Sequence, residues 1–265
     1  MAHGFRHGSG GDLKKVPVLN EEYPKDVSVE AAGSEVTFTV QIAENGKPAE
    51  YEYQWYHDDV AVSGANSSSY TRNSEFGSHT VYCVVTNKAG MVTSRTATVK
   101  ATRQYFYKEG NECSAITGGW VSQGIKSKSS YTASAPAFNK YDDAMSMAMN
   151  TGATPSSGIV RAVNTIDFSK YKTLYVEMEC TVTQYNTIAI AVYTDGISDM
   201  GYSGSAFTDA SKVPVSRVFV GKSQAFQVFS LDVNSLNKKY AVGIMLHYQS
   251  NKGTIAANLY NMWGE

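Results

Sequence analysis

Apolar residues in this chain recur at every second position far more often than at every third or fourth. Val36, Phe38 and Val40 alternate with threonines, and the same spacing relates Tyr51, Tyr53 and Trp55. It returns in Met145, Met147 and Met149, in Leu174, Val176 and Met178, and in Ile188, Ile190 and Val192. Near the end come Tyr240, Val242, Ile244, Leu246 and Tyr248, then Ile255, Ala257 and Leu259. Successive side chains of a strand point to opposite faces, so this pattern predicts half-buried β-sheets along the chain. Turn signals separate the runs: Glu44-Asn45-Gly46, Lys88-Ala89-Gly90, Thr194-Asp195-Gly196 and Asn251-Lys252-Gly253. These residue types accept left-handed backbone or make Asx turns. The best helical candidate, Asp142 to Met149, is also read as a strand, because its methionines alternate.

One strand series ends around Lys100 to Arg103 and another begins at Tyr105. The reading is therefore all-β: a Gly-rich arm over 1–16, then two β-sandwich domains over 17–103 and 104–265. Charged residues make up only 18% of the 265 residues and aromatics 12%, with 18 tyrosines. The net charge of -1 supplies no field for a polyanion, which excludes nucleic acid as a partner. No apolar run approaches the ~20 residues of a spanning helix, so membrane insertion is not expected. The segment from Met1 to Gly11 lacks the apolar stretch of a secretory signal, and the chain is expected to be soluble and not secreted. His3 and His7 have metal-compatible spacing, but Gly4, Gly8, Gly10 and Gly11 favour a flexible arm. Cys83, Cys113 and Cys180 form no C-x-x-C pair, and are expected to be thiols of a protein folded under reducing conditions.

Catalytic signatures are weak. Gly201-Tyr202-Ser203-Gly204-Ser205 departs from a nucleophile elbow at its last position, and none of the histidines outside the arm has metal-ligand spacing. Phosphate-binding loops of the GxxxxGK type are absent. Glycoside hydrolysis needs only two carboxylates, available here among Asp142, Asp143, Glu177, Glu179, Asp195 and Asp199. Glu177 and Glu179 share a strand face opposite Leu174, Val176 and Met178, and read as solvated residues. No catalytic residue and no cofactor are therefore assigned. Sugar binding has more support from composition. Aromatic rings stack on pyranose faces while amides and short acids bond hydroxyls. Tyr131, Tyr141, Tyr185, Tyr193, Tyr202 and Tyr248 are interspersed with Asn, Ser and Thr. The loop-like stretch 193–204 makes Tyr193, Asp195, Asp199 and Tyr202 ligand candidates. Trp120, after Gly118 and Gly119, is a further candidate, as a rim platform or a core ring.

Trp55 in Tyr53-Gln54-Trp55-Tyr56, followed by Cys83 in a Tyr-Cys-Val-Val-Thr-Asn-Lys-Ala-Gly run, resembles the immunoglobulin-like sandwich. The resemblance implies a core of Phe38, Trp55 and Cys83. Phe38 stands where the family has its first cysteine, and Val81 stands in place of the corner tyrosine, so the family's disulfide is absent. The second half is similar to galactose-binding-like jelly rolls and carbohydrate-binding modules. Its Asp167-Phe168-Ser169-Lys170-Tyr171 entry into a long strand and its closing Ile255 to Trp263 segment carry that likeness. The likeness implies a glycan ligand, and a structural calcium for which Glu109 and Glu112 are candidates beside the turn at Gly110-Asn111. Together with the His-Gly-Ser-Gly-Gly start, the two halves resemble minor structural and tail proteins of bacteriophages. That implies a non-enzymatic virion protein, assembled in the host cytoplasm, whose arm and first domain attach or space it against other virion proteins while the jelly roll binds a host-surface glycan. The alternatives are an adhesion or carbohydrate-binding fragment of a secreted bacterial protein, extracellular or at the cell surface, a structural decoration without ligand, and a small glycosidase. No heptad or collagen-like segment enforces a homo-oligomer, which stays open.

Overall fold

A computed structural model describes residues 14–265 except 114, 117, 125–131, 150–154, 184–185, 194–201, 204–205, 208–215, 221–222, 237–238 and 249–252. The chain divides into two compact units, 1–103 and 104–265. Strands account for nearly all regular structure. Among the described residues a single 3-10 turn, Phe168–Lys170, is the exception, and none of them forms a helix long and apolar enough to cross a membrane.

The first unit contains β1 (Val18–Leu19), β2 (Val27–Ala31), β3 (Glu35–Thr39), β4 (Ile42–Glu44), β5 (Glu52–His57), β6 (Val60–Ala61), β7 (Ser69–Asn73), β8 (Gly77–Asn87) and β9 (Gly90–Thr93). β10 (Ala97–Lys108) begins in this unit and runs into the next. One sheet has the order β2-β10-β8-β5-β6, with β9 also on β8; β2 lies parallel to β10 and the other pairs are antiparallel. β3 pairs with β7 and β1 with β4 in separate two-stranded ladders. The alternating residues Val36 and Phe38 of β3, Trp55 of β5, Val81, Cys83 and Val85 of β8, and Ala97 and Val99 of β10 share one core. Trp55 sits directly opposite Cys83 in the β5-β8 register, wholly buried, and its indole N–H donates to the Ser67 carbonyl at 2.9 Å. The rings of Phe38 and Tyr70 flank it at 6.5 and 5.8 Å. All three cysteines are free thiols; burial pushes that of Cys83 up to about 12, so it behaves as a small core hydrophobe.

The second unit contains β11 (Asn111–Glu112), β12 (Trp120–Gly124), β13 (Thr132–Ala133), β14 (Ala137–Lys140), β15 (Met145–Ala148), β16 (Ser156–Ala162) and β17 (Ile166–Asp167). There follow β18 (Thr173–Val182), β19 (Thr187–Tyr193), β20 (Tyr202–Ser203), β21 (Ala206–Phe207), β22 (Ser216–Val220), β23 (Gln224–Asp232), β24 (Lys239–Tyr248) and β25 (Ile255–Gly264). Two sheets form a sandwich. In the first, β25 is paired on one edge by β18, which carries β23 outside it, and on the other by β15 with β14, then by the end of β10. The second has the order β12-β16-β24-β19-β22. Leu174, Val176 and Met178 of β18, Ile255, Ala257, Leu259 and Met262 of β25, and Met145 and Met147 of β15 are all buried. From the second sheet Ile159, Ile190, Val192, Val242, Ile244 and Leu246 are buried as well. β24 departs from simple alternation: every residue from Tyr240 to Tyr248 is buried, with small Ala241 and Gly243 among those at the odd positions. On that face His247 bonds Ser157 through Nδ1 at 2.7 Å.

The Asp167 entry motif has a direct physical reading. Asp167 caps the 3-10 turn by accepting from the Ser169 N–H at 3.1 Å and its hydroxyl at 2.6 Å. That turn drives Phe168 and Tyr171 into the core, where both meet Phe106, Tyr171 edge-on at 5.3 Å. Gly264 lies under the Tyr171 ring, and a Cβ there would come within 2.6 Å of Cδ1.

Two stability outcomes follow. Phe38→Ala should lower unfolding free energy by about 3–5 kcal/mol in urea titration, as expected when a wholly buried ring leaves a cavity. Gly264→Ala, which must displace the Tyr171 ring, should destabilise by about 1–3 kcal/mol, and Gly264→Ala combined with Tyr171→Leu should recover part of the loss.

Candidate functional site

The outward face of β25, β18 and β23 brings together Glu177, Glu179, Asn258, Tyr260, Asn261 and Phe226, and two register shifts build it. Opposite β18, Glu177 faces Asn261 while Met178 faces Leu259, so Tyr260 is an extra residue in β25. Between β18 and β23, Met178 faces Gln227 while Cys180 faces Gln224, so β23 also carries an extra residue beside Glu179. Such bulges re-aim the side chains that follow them. Past Tyr260 the parity of β25 inverts: Met262 stays buried, while Asn261 and Trp263 share the outward face with Glu177 and Tyr175. β10 has a matching shift at Phe106, which leaves Phe106 and Tyr107 inward and Tyr105 opposite Trp263.

The face that results has two parts. Tyr105, Trp263 and Tyr175 form a row of rings, the first pair at 5.8 Å and the second stacked at 5.2 Å. Trp263 is only 7% exposed, its indole donating to Glu265 at 3.0 Å, so this row is chiefly packing. Further along, Glu177 and Glu179 accept hydrogen bonds from amides. Asn261 Nδ2 donates to Glu177 Oε2, and Asn258 Nδ2 donates to Glu179 Oε1 at 2.6 Å. The Tyr260 hydroxyl also donates to Glu179 Oε1, at 3.0 Å. Burial first, and then the Glu179 carboxylate, push the Tyr260 phenol above its ordinary pKa. Phe226 of β23 is 56% exposed and meets the Tyr260 ring edge-on at 5.1 Å. Beside these groups lies a shallow depression of about 170 Å3 lined by Glu179, Thr181, Gln224, Ala256 and Asn258. An exposed ring next to oriented carboxylate and amide groups can stack an apolar surface while bonding hydroxyls at its edge. Both carboxylates are engaged with amides.

The ligand candidates read from sequence are Trp120, Tyr193, Asp195, Asp199 and Tyr202. Trp120 is a core ring rather than a rim platform: it is 6% exposed, packs edge-on against Tyr107 at 6.1 Å, and its indole nitrogen is buried. Tyr193 ends β19 and Tyr202 opens β20, but their side chains lie outside the described residues, as do Asp195 and Asp199 altogether. Tyr248 is buried in β24, and Tyr141 is exposed. Glu109 sits at φ 46 in the β10-β11 turn, where its N–H donates to the Tyr260 carbonyl at 3.0 Å. Glu112 is ion-paired with Lys140.

Glu177 and Glu179 were visible in sequence as residues of one strand face, but their partners were not. The available signal was the break in alternation at Leu259-Tyr260-Asn261-Met262, where two polar-tipped residues stand together between buried ones. A period carried unbroken past it would turn Asn261 and Trp263 inward.

No protein-family model and no curated protein matches the chain. Solved structures with some likeness are carbohydrate-binding modules. One, described as the structural basis for the promiscuous specificity of such modules from the β-sandwich superfamily, is 12% identical with a TM-score of 0.38, covering 95% of this chain and 98% of that one. A single-residue mutant of a family 29 module, made to probe its mechanism of ligand recognition, is 13% identical with a TM-score of 0.36, over 62% of this chain and 92% of its own. A family 29 module from Piromyces equi is 10% identical with a TM-score of 0.34, over 61% and 89%. Likeness at this level carries no argument about what this chain binds.

Tyr260→Phe keeps the ring contact with Phe226 but removes the bond to Glu179, and should cost about 0.5–1.5 kcal/mol in urea unfolding.

Proposed function

We propose that the second unit binds a neutral glycan on the outward face of β25, β18 and β23. The observation that carries this reading is the exposed Phe226 ring, set against Tyr260 and beside the Glu179-Asn258 and Glu177-Asn261 pairs. A pyranose offers an apolar C–H face and an edge of hydroxyls, and this arrangement matches both. Phe226 supplies the stacking surface; Glu179 and Asn258, held by each other, supply an acceptor and a donor in fixed positions. Two carboxylates within the face disfavour an anionic sugar, since like charges brought together repel. The depression of about 170 Å3 is smaller than the ~300 Å3 of a typical small-molecule pocket, which suits one or two sugar units bound weakly, at about 0.1–1 mM.

The unit thus acts as a binding module rather than an enzyme: its two half-buried carboxylates are tied to amides and bind substrate rather than transfer protons. We read the first unit as an immunoglobulin-like spacer or attachment module. The Trp55-Cys83 pairing in its core and the parallel placement of β2 on β10 support that reading. The setting of a virion rests on resemblance alone, and the proposed ligand does not depend on it.

The test is affinity electrophoresis of the full chain against neutral polysaccharides, followed by calorimetry with the oligosaccharide of any that retards it. Phe226→Ala should weaken binding about tenfold, equivalent to ~1.4 kcal/mol, without lowering the unfolding midpoint, because the ring is more than half exposed. Glu179→Gln should weaken it as well, while Met91→Ala, on an exposed side chain of the first unit, should leave it unchanged. Full retention in Phe226→Ala, with loss in Tyr193→Ala or Tyr202→Ala, would move the site to the 193–204 stretch.

A further inference from the structure

A second cluster of polar groups lies in the first unit, where the chain turns from β5 into β6. His57 ends β5, Asp58 and Asp59 form the two-residue turn, and His79 lies near the start of β8. Asp58 and Asp59 both adopt left-handed backbone, φ 46 and 63, which gives the tight turn that matches strand twist in a hairpin. The turn carries the Asp58 side chain across to β8. There Oδ1 accepts from the Thr80 N–H at 2.8 Å, and Oδ2 lies 2.6 Å from His79 Nδ1 and 3.9 Å from His57 Nδ1. The two imidazoles stack at 5.2 Å, and one ligand atom from each of the three residues falls within 4.8 Å of the others.

The hydrogen bonds of His79 define what the gap must hold. Nε2 is 3.1 Å from the Phe76 carbonyl, which can only accept, so Nε2 carries a hydrogen. In neutral His79 the lone pair on Nδ1 then faces a carboxylate oxygen at 2.6 Å. Two acceptors that close need a cation between them: a proton on Nδ1, or a metal ion. An imidazole whose far N–H is held by a backbone carbonyl is also the usual arrangement of a metal-bound histidine.

We propose that His57, Asp58 and His79 form a binding site for a zinc-class divalent transition metal, with water completing a tetrahedral shell. The donors are of the right chemistry, two imidazole nitrogens and one carboxylate oxygen. Bonds of about 2.0–2.1 Å in a tetrahedron put neighbouring ligand atoms about 3.3 Å apart. The 2.6 Å approach must therefore open by about 0.7 Å, the 3.9 Å one close by about 0.6 Å, and the widest separation, at most 4.8 Å, close by up to about 1.5 Å, shifts that side-chain rotations supply. Thr80 holds the other Asp58 oxygen, which leaves Oδ2 as a single, directed ligand. Burial pushes the Asp58 carboxyl up, but the His79 and Thr80 hydrogen bonds prevail and bring it down to about 2, so it is ionised when metal arrives. The charged groups facing the cluster from β7 and the turn beyond it are Arg72 and Glu75, and these pair with each other. Metal would displace the proton from His79 Nδ1 and tie the β5-β6 turn to β8.

The experiment is calorimetric titration of the full chain with ZnCl2, in a background where His3→Ala and His7→Ala remove the arm's histidines. One zinc per chain is expected, with proton release and a d–d spectrum of tetrahedral type when cobalt replaces zinc. At a hundredfold excess over Kd the zinc-responsive unfolding midpoint should rise by about 10 °C. Asp58→Asn and His57→Gln, whose side chains are partly exposed, should each weaken zinc at least tenfold while leaving the metal-free midpoint within a few degrees. His79→Gln should abolish the cobalt spectrum. Zinc binding that survives these substitutions unchanged, or no stoichiometric binding with the metal-free chain folded, would overturn the proposal and leave His79 and Asp58 as a proton-mediated ion pair only.

Discussion

β25 has no free edge along most of its length. β18 pairs with it on one side, and β15 followed by the end of β10 pairs with it on the other. A strand held on both sides cannot slip its register without breaking ladders in its neighbours and turning its apolar set toward water. The inward residues Ile255, Ala257, Leu259 and Met262 are all buried, so the extra residue at Tyr260 cannot be absorbed by shifting the rest of the strand. It is absorbed instead by a local change of parity. Everything that distinguishes the outward face depends on this constraint: Asn261 and Trp263 reach it only because Tyr260 is inserted and Met262 stays in.

Polar groups on that face are satisfied in a way that shapes what they can recognise. A carboxylate paired with an ammonium or guanidinium would be neutralised in place. Here each is paired with a carboxamide, which orients it and leaves its charge. The pairing costs little on a half-exposed sheet surface and limits side-chain motion, so less ordering is needed when a ligand arrives. The shift in β23 sets Phe226 over the same region from the far side of β18, against Tyr260. Apolar and polar parts of the face thus come from three strands and two register shifts.

The first unit solves a similar problem with different parts. Without a disulfide, its two layers meet on Phe38, Trp55 and Cys83, and the Trp55 indole finds a carbonyl within the core. Its polar cluster is placed by backbone conformation, because only a left-handed pair of turn residues brings Asp58 back over β8. In both units an irregularity in an otherwise regular ladder puts side chains where alternation alone would not.

Alternation itself was legible in the sequence. Val36 and Phe38, Met145 and Met147, and Leu174 to Met178 are strands with the faces their spacing implies, because burial of one face is a local property of a two-residue repeat, whereas every residue from Ile188 to Val192 is buried because that strand lies inside its sheet between β24 and β22. The run at Asp142 to Met149 is strand rather than helix from Met145 onward for the same reason. Trp120 was ambiguous by that logic, since a ring beside two glycines can face either way; its contact with Tyr107 from β10 decides for the core. Glu177 and Glu179 were assigned the right face but no partners, because Asn258, Tyr260 and Asn261 come to them from a strand about eighty residues away. His57, Asp58 and His79 likewise have no spacing that marks a ligand set until β5 and β8 are paired. Sequence by itself determined the fold class and the inward residues of most strands, since these follow from neighbours along the chain. Tertiary structure alone decided which polar residues meet, because register across a sheet, and the inserted residue that shifts it, depend on strands far apart in sequence.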